Sequence, residues 1–368
     1  MDRVLPLADR PSRPVLLGLS PERLVELLPA LDLSEARRIV AAVHRGERID
    51  GPLDQVRRTS LEQLRQKAMH ADLALLSEER SQLDPFVKLA LGTWDARVLE
   101  AVRIPLERAG RYSACISSQV GCALACRFCA TGTLGLSRNL EAWEMVAQVH
   151  ALRASIRRHE LAGRIHGVVF QGMGEPLANL DAVLQAIEVM CEPSALAIDA
   201  RNITVSTSGL PTGILRLGRE QPRVRLALSL HAADPAVRGS LLPIERAHPL
   251  SSVIDASVEH ARLTGLAPLW AITLLRGQND SEADARALAE LAKEFRSRAG
   301  KPPRISLIPY NHVPGLPFDR SPDSVLEDFR TALFASGVGC HVRYSGGADV
   351  AAACGQLAGQ GITVPPAE

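Results

Sequence analysis

The segment GCALACRFC, residues 121–129, places Cys122, Cys126 and Cys129 in a C-x3-C-x2-C spacing. It belongs to the stretch CISSQVGCALACRFCATGTLGLSRNL, residues 115–140. Three thiolates can bind three irons of a 4Fe-4S cluster and leave the fourth iron open for another ligand. Structural zinc normally takes four ligands with paired short spacings, and no second pair follows here. The spacing therefore predicts an iron-sulfur site, with zinc or core cysteines as the alternatives.

The sequence around this loop alternates between strand-like and helix-like patterns. From about residue 110, strand candidates are YSACIS, HGVVFQ, NITVS, VRLALSL, PLWAITLL and RISLIPY, with HVRYS as a further one. Helical patterns such as EAWEMVAQVHALRASIRRH separate them. Alternating βα units indicate an α/β fold with a parallel sheet. Six repeats favour a partial (β/α)6 barrel, and an open doubly wound sheet is the alternative.

The chain is too long for one hydrophobic core, since it has 368 residues. Residues 1–90 carry helical spacing in segments such as SPERLVELLPAL and TSLEQLRQKAMHADLALL, and are expected to form a small helical accessory domain. Residues 91–355 are expected to form the barrel that carries the cluster. Residues 356–368 contain glycine and proline and are expected to be a short tail.

The composition excludes several classes of protein. With 46% apolar and 23% charged residues the chain is expected to pack a core rather than to be disordered. It offers no apolar stretch of about 18 residues that could span a membrane. The N-terminus has no signal-peptide pattern, so a cytoplasmic location is expected. Because 42 basic residues balance 41 acidic ones, indiscriminate binding to nucleic acid is not expected.

Several ordered motifs make the sequence resemble a known family. The cysteine spacing, with Phe128 before the last cysteine, is similar to that of the radical S-adenosylmethionine (SAM) superfamily. Together with QGMGEPLAN, STSG, SLH, LIPYN and AACGQL it resembles the RlmN and Cfr family of radical SAM RNA (adenine) methyltransferases. The likeness runs from about residue 95 to about residue 360. It implies a radical SAM barrel, a 4Fe-4S cluster, SAM and an RNA substrate.

The resemblance also implies roles for residues in these motifs. Cys122, Cys126 and Cys129 would ligate the cluster. Gly174 and Glu175 would contact the methionyl amino end of SAM, since a carboxylate suits a cationic amine. The sugar, carboxylate and adenine of SAM would be held by Ser206, Ser229, Leu230, His231 and Asn311.

Two isolated cysteines acquire a role only through the resemblance, because a free cysteine is most often a small buried hydrophobe. Cys354 resembles the family's methyl carrier and Cys115 its resolving partner. One SAM would methylate Cys354, and a second, cleaved reductively, would yield the radical that activates this methyl group. Cys115 would then release the product by forming a transient disulfide with Cys354. Glu100 aligns with the family's proton acceptor. Structural roles are expected for Cys191 and Cys340.

The predicted function is methylation of C2 of an adenosine in 23S rRNA, and in transfer RNA as a second substrate. Methylation of C8, as in Cfr, is the nearest alternative, and no residue separates the two. A non-catalytic iron-sulfur RNA-binding protein and a radical enzyme without a carrier cysteine are further alternatives. The resemblance implies a flavodoxin or ferredoxin as electron donor, and a monomer is expected.

The sequence suggests where RNA would bind. Residues 101–165 contain nine arginines against four glutamates, and Arg111, Arg127 and Arg138 flank the cluster loop. Such charge could neutralise phosphates around an extruded adenosine, although solvated helix faces are the usual role of single arginines. The helical domain is expected to recognise RNA shape. Gly346 and Ala348 stand where family members often carry charged residues, which leaves the RNA target open.

Overall fold

A computed structural model describes residues 11–159 and 161–358 of the chain. Its helices are Pro21–Leu27 (α1), Leu33–His44 (α2), Arg58–Lys67 (α3), Ala142–Arg158 (α4), Leu180–Cys191 (α5), Pro211–Glu220 (α6), Pro235–Leu241 (α7), Leu250–Thr264 (α8), Glu282–Ala299 (α9) and Asp323–Ala335 (α10). Its strands are Ala74–Arg80 (β1), Val87–Gly92 (β2), Val98–Pro105 (β3), Arg111–Ile116 (β4), Gln119–Gly121 (β5), Leu136–Asn139 (β6), Arg164–Phe170 (β7), Ile203–Thr207 (β8), Arg225–Ser229 (β9), Leu269–Leu274 (β10), Arg304–Pro309 (β11) and Cys340–Val342 (β12).

The central sheet settles the choice between a partial barrel and a doubly wound sheet. Strands β4, β7, β8, β9, β10, β11 and β12 lie side by side in chain order, and each neighbouring pair is parallel. A doubly wound sheet would reverse its strand order at a switch point. The unidirectional order with a helix at each crossover is that of an open (β/α)6 arc, which confirms the predicted fold class. The predicted further strand is β12.

Three antiparallel strands extend this sheet beyond β4. Strand β3 pairs with β4, β2 with β3, and β1 with β2, so that ten strands form one sheet. The helical prediction for TSLEQLRQKAMHADLALL is correct only to Lys67, because the chain enters β1 at Ala74. The expected boundary at residue 90 falls inside β2, so residues 74–90 pair with the barrel sheet rather than with the helices.

The N-terminal helices contact α4 and α5, since Arg23 of α1 binds Glu188 of α5 and His44 of α2 contacts His150 of α4. Ser20 caps α1 by accepting a hydrogen bond from the Arg23 N–H at 3.4 Å, as its position before Pro21 predicts. A Cβ added at Gly18 would lie 2.8 Å from the backbone nitrogen of Trp143 in α4. The backbone therefore approaches α4 so closely that only glycine fits. Leucines of these helices join the apolar residues of the barrel in one continuous core.

The tail predicted for residues 356–368 is described only to residue 358, and the remainder lies outside the described residues. None of the described helices has both the length and the hydropathy needed to cross a membrane.

Candidate active site

The three clustered cysteines lie on a loop whose two ends are tied together. Strands β5 and β6 pair antiparallel at the base of this loop, residues 122–135, which we call the cluster loop. The Cys122 N–H donates to the Gly135 carbonyl at 2.9 Å, and the Cys129 N–H donates to the Cys126 carbonyl at 3.2 Å. A Cβ at Gly132 would lie 2.7 Å from that same Cys126 carbonyl oxygen. The backbone is thus folded tightly around the positions of the thiols.

The thiols of Cys122, Cys126 and Cys129 line one cavity at the carboxyl end of the parallel strands. Burial raises the pKa of Cys122 to about 11, and burial together with the neighbouring thiols raises the pKa of Cys126 further. Buried thiols of this kind ionise when a bound cation compensates the charge. Each thiolate of a 4Fe-4S cluster binds a different iron, so the sulfurs need not converge on one point. Within residues 11–159 and 161–358, no three His, Cys, Asp or Glu side chains converge on a single-ion position.

The GMGEP motif follows β7 and places a buried carboxylate beside these thiols. Gly174 has φ of +99°, and a Cβ there would lie 2.5 Å from the Cβ of Gln119. Glu175 accepts hydrogen bonds from the Ser208 N–H at 2.9 Å and the Leu177 N–H at 3.0 Å. Burial raises the pKa of Glu175 to about 7. Among the described residues it has no salt-bridge partner, so this carboxylate fits an incoming ammonium group.

Three more of the predicted cofactor residues line the same cavity. The hydroxyl groups of Ser206 and Ser229 lie 3.3 Å apart at the ends of β8 and β9. His231 has a left-handed φ of +62°, and its Nδ1 accepts a hydrogen bond from the Thr273 N–H at 3.1 Å. Burial lowers the pKa of His231 to about 3, and its ring meets Phe128 edge-on at 4.7 Å between centroids. These contacts hold a neutral imidazole beside Phe128, the residue before Cys129.

Leu230 and Asn311 occupy different positions from the other predicted cofactor residues. Leu230 is fully buried, and its N–H donates to the Ala271 carbonyl at 3.0 Å. Asn311 donates to the Ser345 hydroxyl at 2.8 Å and to the Cys354 carbonyl at 3.1 Å. Neither side chain is among those that line the cavity of the three cysteines. In this structure Asn311 therefore holds the chain near Cys354.

Cys354 lies between two adjacent cavities. The first is the cavity of the three cysteines, and the second is lined by Cys115, Phe86 and Arg343. Cys354 lines both cavities, as do Cys129 and Gly172. Burial raises the pKa of Cys115 to about 12, and the neighbouring Cys354 adds to the rise. The fold thus brings together two cysteines that are far apart in the sequence.

The segment that carries Cys354, residues 344–358, which we call the C-terminal loop, is fastened to the mouth of the barrel. The Ala130 N–H donates to the Gly355 carbonyl at 2.8 Å, and the Thr131 hydroxyl donates to the Leu357 carbonyl. The Ala358 N–H donates to the Glu100 carboxylate at 2.7 Å. Glu100 is buried on β3, where Lys88 lies 3.4 Å from its other oxygen. The predicted proton acceptor therefore faces the C-terminal loop.

The turn between β1 and β2 holds the start of the C-terminal loop. Asp84 accepts hydrogen bonds from the Gly347 N–H at 2.8 Å and from the Tyr344 hydroxyl at 2.9 Å. A Cβ added at Gly346 would collide with the Phe86 ring and with Asp84. A longer charged side chain at position 346 would therefore displace this turn, which explains glycine at that position.

The basic segment around the cluster loop is less available to phosphates than its sequence predicts. Arg138 binds Asp95 and Glu144, each at 2.8 Å, and stacks over Trp94 at 4.9 Å. Arg158 pairs with Glu78 at 2.6 Å. The expectation that Arg138 neutralises phosphate is corrected, since its two carboxylate partners already satisfy it. Arg127 is exposed between two of the cysteines.

Sequence reasoning did not single out three residues of the site. Gln119 accepts a hydrogen bond from the Glu175 N–H at 2.8 Å, and Arg343 donates to Gln171 at 3.2 Å beside Cys115. Asp84 holds the C-terminal loop from a distant turn. Arg343 directly follows β12, so the rule that active sites lie at the carboxyl ends of parallel strands could have found it. No comparable signal marks Gln119 or Asp84.

Comparisons with known proteins agree with this geometry. The model of the radical SAM superfamily matches residues 116–289, which contain the cluster loop and the first strands of the barrel. A crystal structure of a radical SAM methyltransferase from Sphaerobacter thermophilus superimposes with a TM-score of 0.84 at 35% identity, over 94% of this chain and 100% of that one. The fold and the three-cysteine loop thus define a radical SAM protein, a class that uses a 4Fe-4S cluster and SAM.

Two curated relatives identify the family more closely. A probable RNA methyltransferase of Sorangium cellulosum is 54% identical over 89% of this chain and 88% of its own length. A dual-specificity RNA methyltransferase RlmN of Anaeromyxobacter dehalogenans is 38% identical over 95% of this chain and 92% of its own length. The chain belongs to the RlmN family of radical SAM RNA methyltransferases, which confirms the predicted family.

Proposed function

We propose that the protein methylates C2 of an adenosine in RNA through a methyl group carried on Cys354. The observation that carries the proposal is the place of Cys354 between two cavities. One cavity is lined by Cys122, Cys126 and Cys129, and the other by Cys115. A carrier must meet the methyl donor on one side and a resolving thiol on the other, and this arrangement suits both tasks. The RlmN relatives are named dual-specificity RNA methyltransferases, which supports RNA as the substrate class; 23S rRNA, with transfer RNA as a second substrate, is part of our proposal.

The residues of the first cavity would hold the cluster and SAM. Cys122, Cys126 and Cys129 would bind three irons, and the buried carboxylate of Glu175, which has backbone donors but no salt-bridge partner among the described residues, would bind the cationic amine of SAM. When bound, the cluster and SAM supply a carbon-centred radical that can remove hydrogen from an S-methyl group. Two SAM molecules would be needed in each turnover, because one donates the methyl group and the other is cleaved.

The residues of the second cavity would release the product. The methylene radical on Cys354 would add to the adenine ring, and the adduct must then lose one electron, which the oxidised cluster would accept, and the ring proton. Glu100, which lies outside the second cavity but bonds to the C-terminal loop, is our candidate base for that proton. The thiolate of Cys115 then attacks the Cys354 sulfur, so that an S–S bond forms while the S–CH2 bond breaks. The electron pair of the broken bond goes to the carbon, which takes a proton and becomes the methyl group. A dithiol reductant must afterwards reduce the disulfide.

The second cavity also sets a condition for this release step. Because burial raises the pKa of Cys115 to about 12, its thiol is protonated at rest and must lose a proton before it attacks. Arg343 lines the same cavity, and its positive charge favours the thiolate of Cys115. A resting thiol that becomes reactive only once the adduct is formed would protect Cys354 from premature oxidation.

The proposal is tested by nucleoside analysis of ribosomal and transfer RNA from cells without the gene, complemented with variants. Wild-type protein and Cys340→Ala should restore 2-methyladenosine, whereas Cys354→Ala should not. Cys340 is a matched control because it is a half-buried free cysteine on β12, away from both cavities. Appearance of 8-methyladenosine would overturn the C2 assignment. If the amounts of 2-methyladenosine and 8-methyladenosine do not differ between the strains with and without the gene, the methyltransferase proposal is refuted.

A further inference from the structure

A further cavity, lined mainly by basic residues, lies at the end of the barrel opposite the cysteines. Its volume is about 570 Å³. Arg164 is the first residue of β7 and Arg225 the first residue of β9, so the cavity opens at the amino ends of the strands. The active-site residues follow the carboxyl ends of the same strands. This cavity is therefore separate from the proposed site of methylation.

Positive charge dominates the lining of this cavity. Its ionisable residues are Arg153, Arg164, Arg201, Arg225, His166 and Asp199. Asp199, the one acidic residue among these lining groups, is already bound by Arg201 and by Arg223 at 3.0 Å. In the described residues, Arg153, Arg164 and Arg225 have no carboxylate in salt-bridge contact. Several guanidinium groups therefore face one cavity with their charge uncompensated.

Two of these guanidinium groups are held by backbone carbonyls. Arg153 donates to the Leu196 carbonyl at 2.7 Å, and Arg225 donates to the Arg201 carbonyl at 2.8 Å. A carbonyl partner orients a guanidinium group without neutralising it, and leaves its other N–H groups free to bind an anion. Arg153 is also half-buried, so its charge is costly without a counter-charge. The cavity therefore combines oriented guanidinium groups, positive charge without a paired carboxylate, and space for a ligand.

We propose that this cavity binds phosphate groups. Guanidinium groups pair with phosphate oxygens in bidentate fashion, and several of them around one cavity suit a group with more than one negative charge. The phosphates could belong to the backbone of the RNA substrate or to a small phosphorylated molecule. The RNA source rests on the proposed function, whereas phosphate binding itself does not.

The position of the cavity favours contact with RNA. Arg153 lies on α4, and one turn earlier His150 contacts His44 of the accessory domain, with 2.9 Å between ring nitrogens. The cavity therefore adjoins the helical domain that is expected to recognise RNA shape. RNA bound by that domain could place backbone phosphates at the foot of the barrel while another part of it reaches the mouth.

The test compares Arg164→Gln/Arg225→Gln with Arg286→Gln/Arg330→Gln. Each pair removes two arginines, of which Arg164, Arg225 and Arg286 are exposed and Arg330 is half-buried, and the control pair lies on α9 and α10, away from the cavity. Affinity for a labelled substrate RNA is measured between 50 and 300 mM salt, roughly the range in which phosphate contacts are resolved. Thermal unfolding with and without pyrophosphate is measured in parallel, and unfolding without any anion shows whether each variant is folded.

Binding of RNA phosphates and binding of a small phosphorylated molecule predict different results in these measurements. If RNA is the ligand, the cavity variant loses roughly tenfold in RNA affinity, and the slope of log K against log salt falls by about 1 to 2, while the control keeps both. If a small phosphorylated molecule is the ligand, pyrophosphate raises the unfolding temperature of wild type and control but not of the cavity variant. If neither changes, the proposal is overturned.

A further measurement separates this proposal from the proposed function. Methylation of the Cys354 sulfur in the absence of RNA, followed by intact mass, should be the same in the cavity variant and in wild type. If the wild-type protein does not methylate the Cys354 sulfur, this result counts against the proposed function. It would leave the pyrophosphate result as an independent test of the cavity.

Discussion

The cluster loop and the C-terminal loop both carry cysteines to the mouth of the barrel, but they are built differently. The cluster loop is closed at its base by the paired strands β5 and β6, and the Phe128 ring anchors it in an apolar cluster with Leu241, Leu275 and Tyr310. The C-terminal loop has a single short helical turn, Ala348–Val350, and is held by hydrogen bonds to the strand β3, the cluster loop and the β1–β2 turn.

This difference matches what each loop must do. A metal cluster needs ligands held within a fraction of an ångström, and local backbone pairing provides that precision. Cys354 must serve two cavities in sequence, which a loop fastened by separate contacts permits, because those contacts can break one at a time. Ala351, with φ of +50°, and Gly347 and Gly355 give the C-terminal loop three left-handed residues around the carrier. We therefore expect the two loops to respond differently to substitution.

The largest effect is expected from Cys126→Ala in the cluster loop. It removes one of three thiolates, so the cluster should not assemble and RNA methylation should fall below detection. Iron content and the visible absorbance of the anaerobically reconstituted protein measure the loss. Cys354→Ala should keep full iron content with no methylation. Equal iron content in both variants would contradict the division of roles between the two loops.

The next effect is expected from Cys115→Ala, which affects the step after the carrier has reacted. Without the resolving thiol the S–CH2 bond cannot be broken by disulfide formation, so the protein should remain covalently attached to RNA. Gel electrophoresis under denaturing conditions should show a species that disappears after nuclease digestion. Cys191→Ala is the control, because that cysteine ends α5 away from both cavities. Normal turnover by Cys115→Ala would remove this cysteine from the mechanism.

Much of the fold could be predicted from local pattern. Six of the seven strands of the arc, and most of their helices, are recognisable in the sequence because each strand is a short, largely apolar run with most of its central residues buried. The extension β1–β3 was partly missed. The sequence of β1, ALLSEER, follows a helix and carries charges, and it forms a strand because it pairs with Val87–Gly92. The helix Pro235–Leu241 was also missed, because seven residues show too little periodicity to be seen.

The site was predictable where its chemistry is local in sequence. Spacing alone indicated the three cysteines, and the family resemblance, through the motifs GMGEP and SLH, indicated Glu175 and His231. The proximity of Cys115 and Cys354 could not come from spacing, because 238 residues separate them and the C-terminal loop must return across the mouth of the open arc to reach β4. For Arg138 the local sequence was misleading. Its basic neighbours suggested a contact with RNA phosphate, but Asp95, which is distant in the sequence, forms a salt bridge with it.

The buried carboxylate of Glu175 is expected to lower the free energy of unfolding of the protein at neutral pH. Burial raises its pKa from 4.5 to about 7, so between these values the native state binds more protons than the unfolded chain. Stability must therefore fall as the pH rises through that window. Relative to wild type, Glu175→Gln should become more stable above pH 7 by up to about 3 kcal/mol, and should gain nothing near pH 4.5.

Denaturant unfolding of the cluster-free protein at pH 5 and pH 8 measures this change. SAM added to the reconstituted protein should stabilise wild type more than Glu175→Gln, because only the carboxylate pairs with the amine. Glu259→Gln, an exposed residue on α8, is the control. Parallel stability curves for wild type and Glu175→Gln would show that this carboxylate is not the buried, unpaired acid described above.

The smallest effect is expected where the C-terminal loop meets the β1–β2 turn. Asp84→Ala removes the acceptor of the Gly347 N–H and of the Tyr344 hydroxyl, and these two partly exposed bonds, at about 0.5–1.5 kcal/mol each, together contribute about 1–3 kcal/mol. Opening of the loop should become about 10 to 100 times more frequent, since each 1.4 kcal/mol is about tenfold. Alkylation of Cys354 should accelerate accordingly, while that of Cys340 should not. Tyr344→Phe keeps the ring against Phe86 and loses one bond, so its effect should be smaller.

Asp328→Ala, an exposed substitution on α10, should leave the alkylation of Cys354 unchanged. In Asp84→Ala, RNA methylation should fall with the occupancy of the closed loop, whereas iron content should stay at the wild-type value because the cluster loop does not contact Asp84. A fall in iron content would mean that the two loops are one rigid unit. Unchanged alkylation would mean that the bonds from Ala130, Thr131 and Asn311 hold Cys354 without help from the turn.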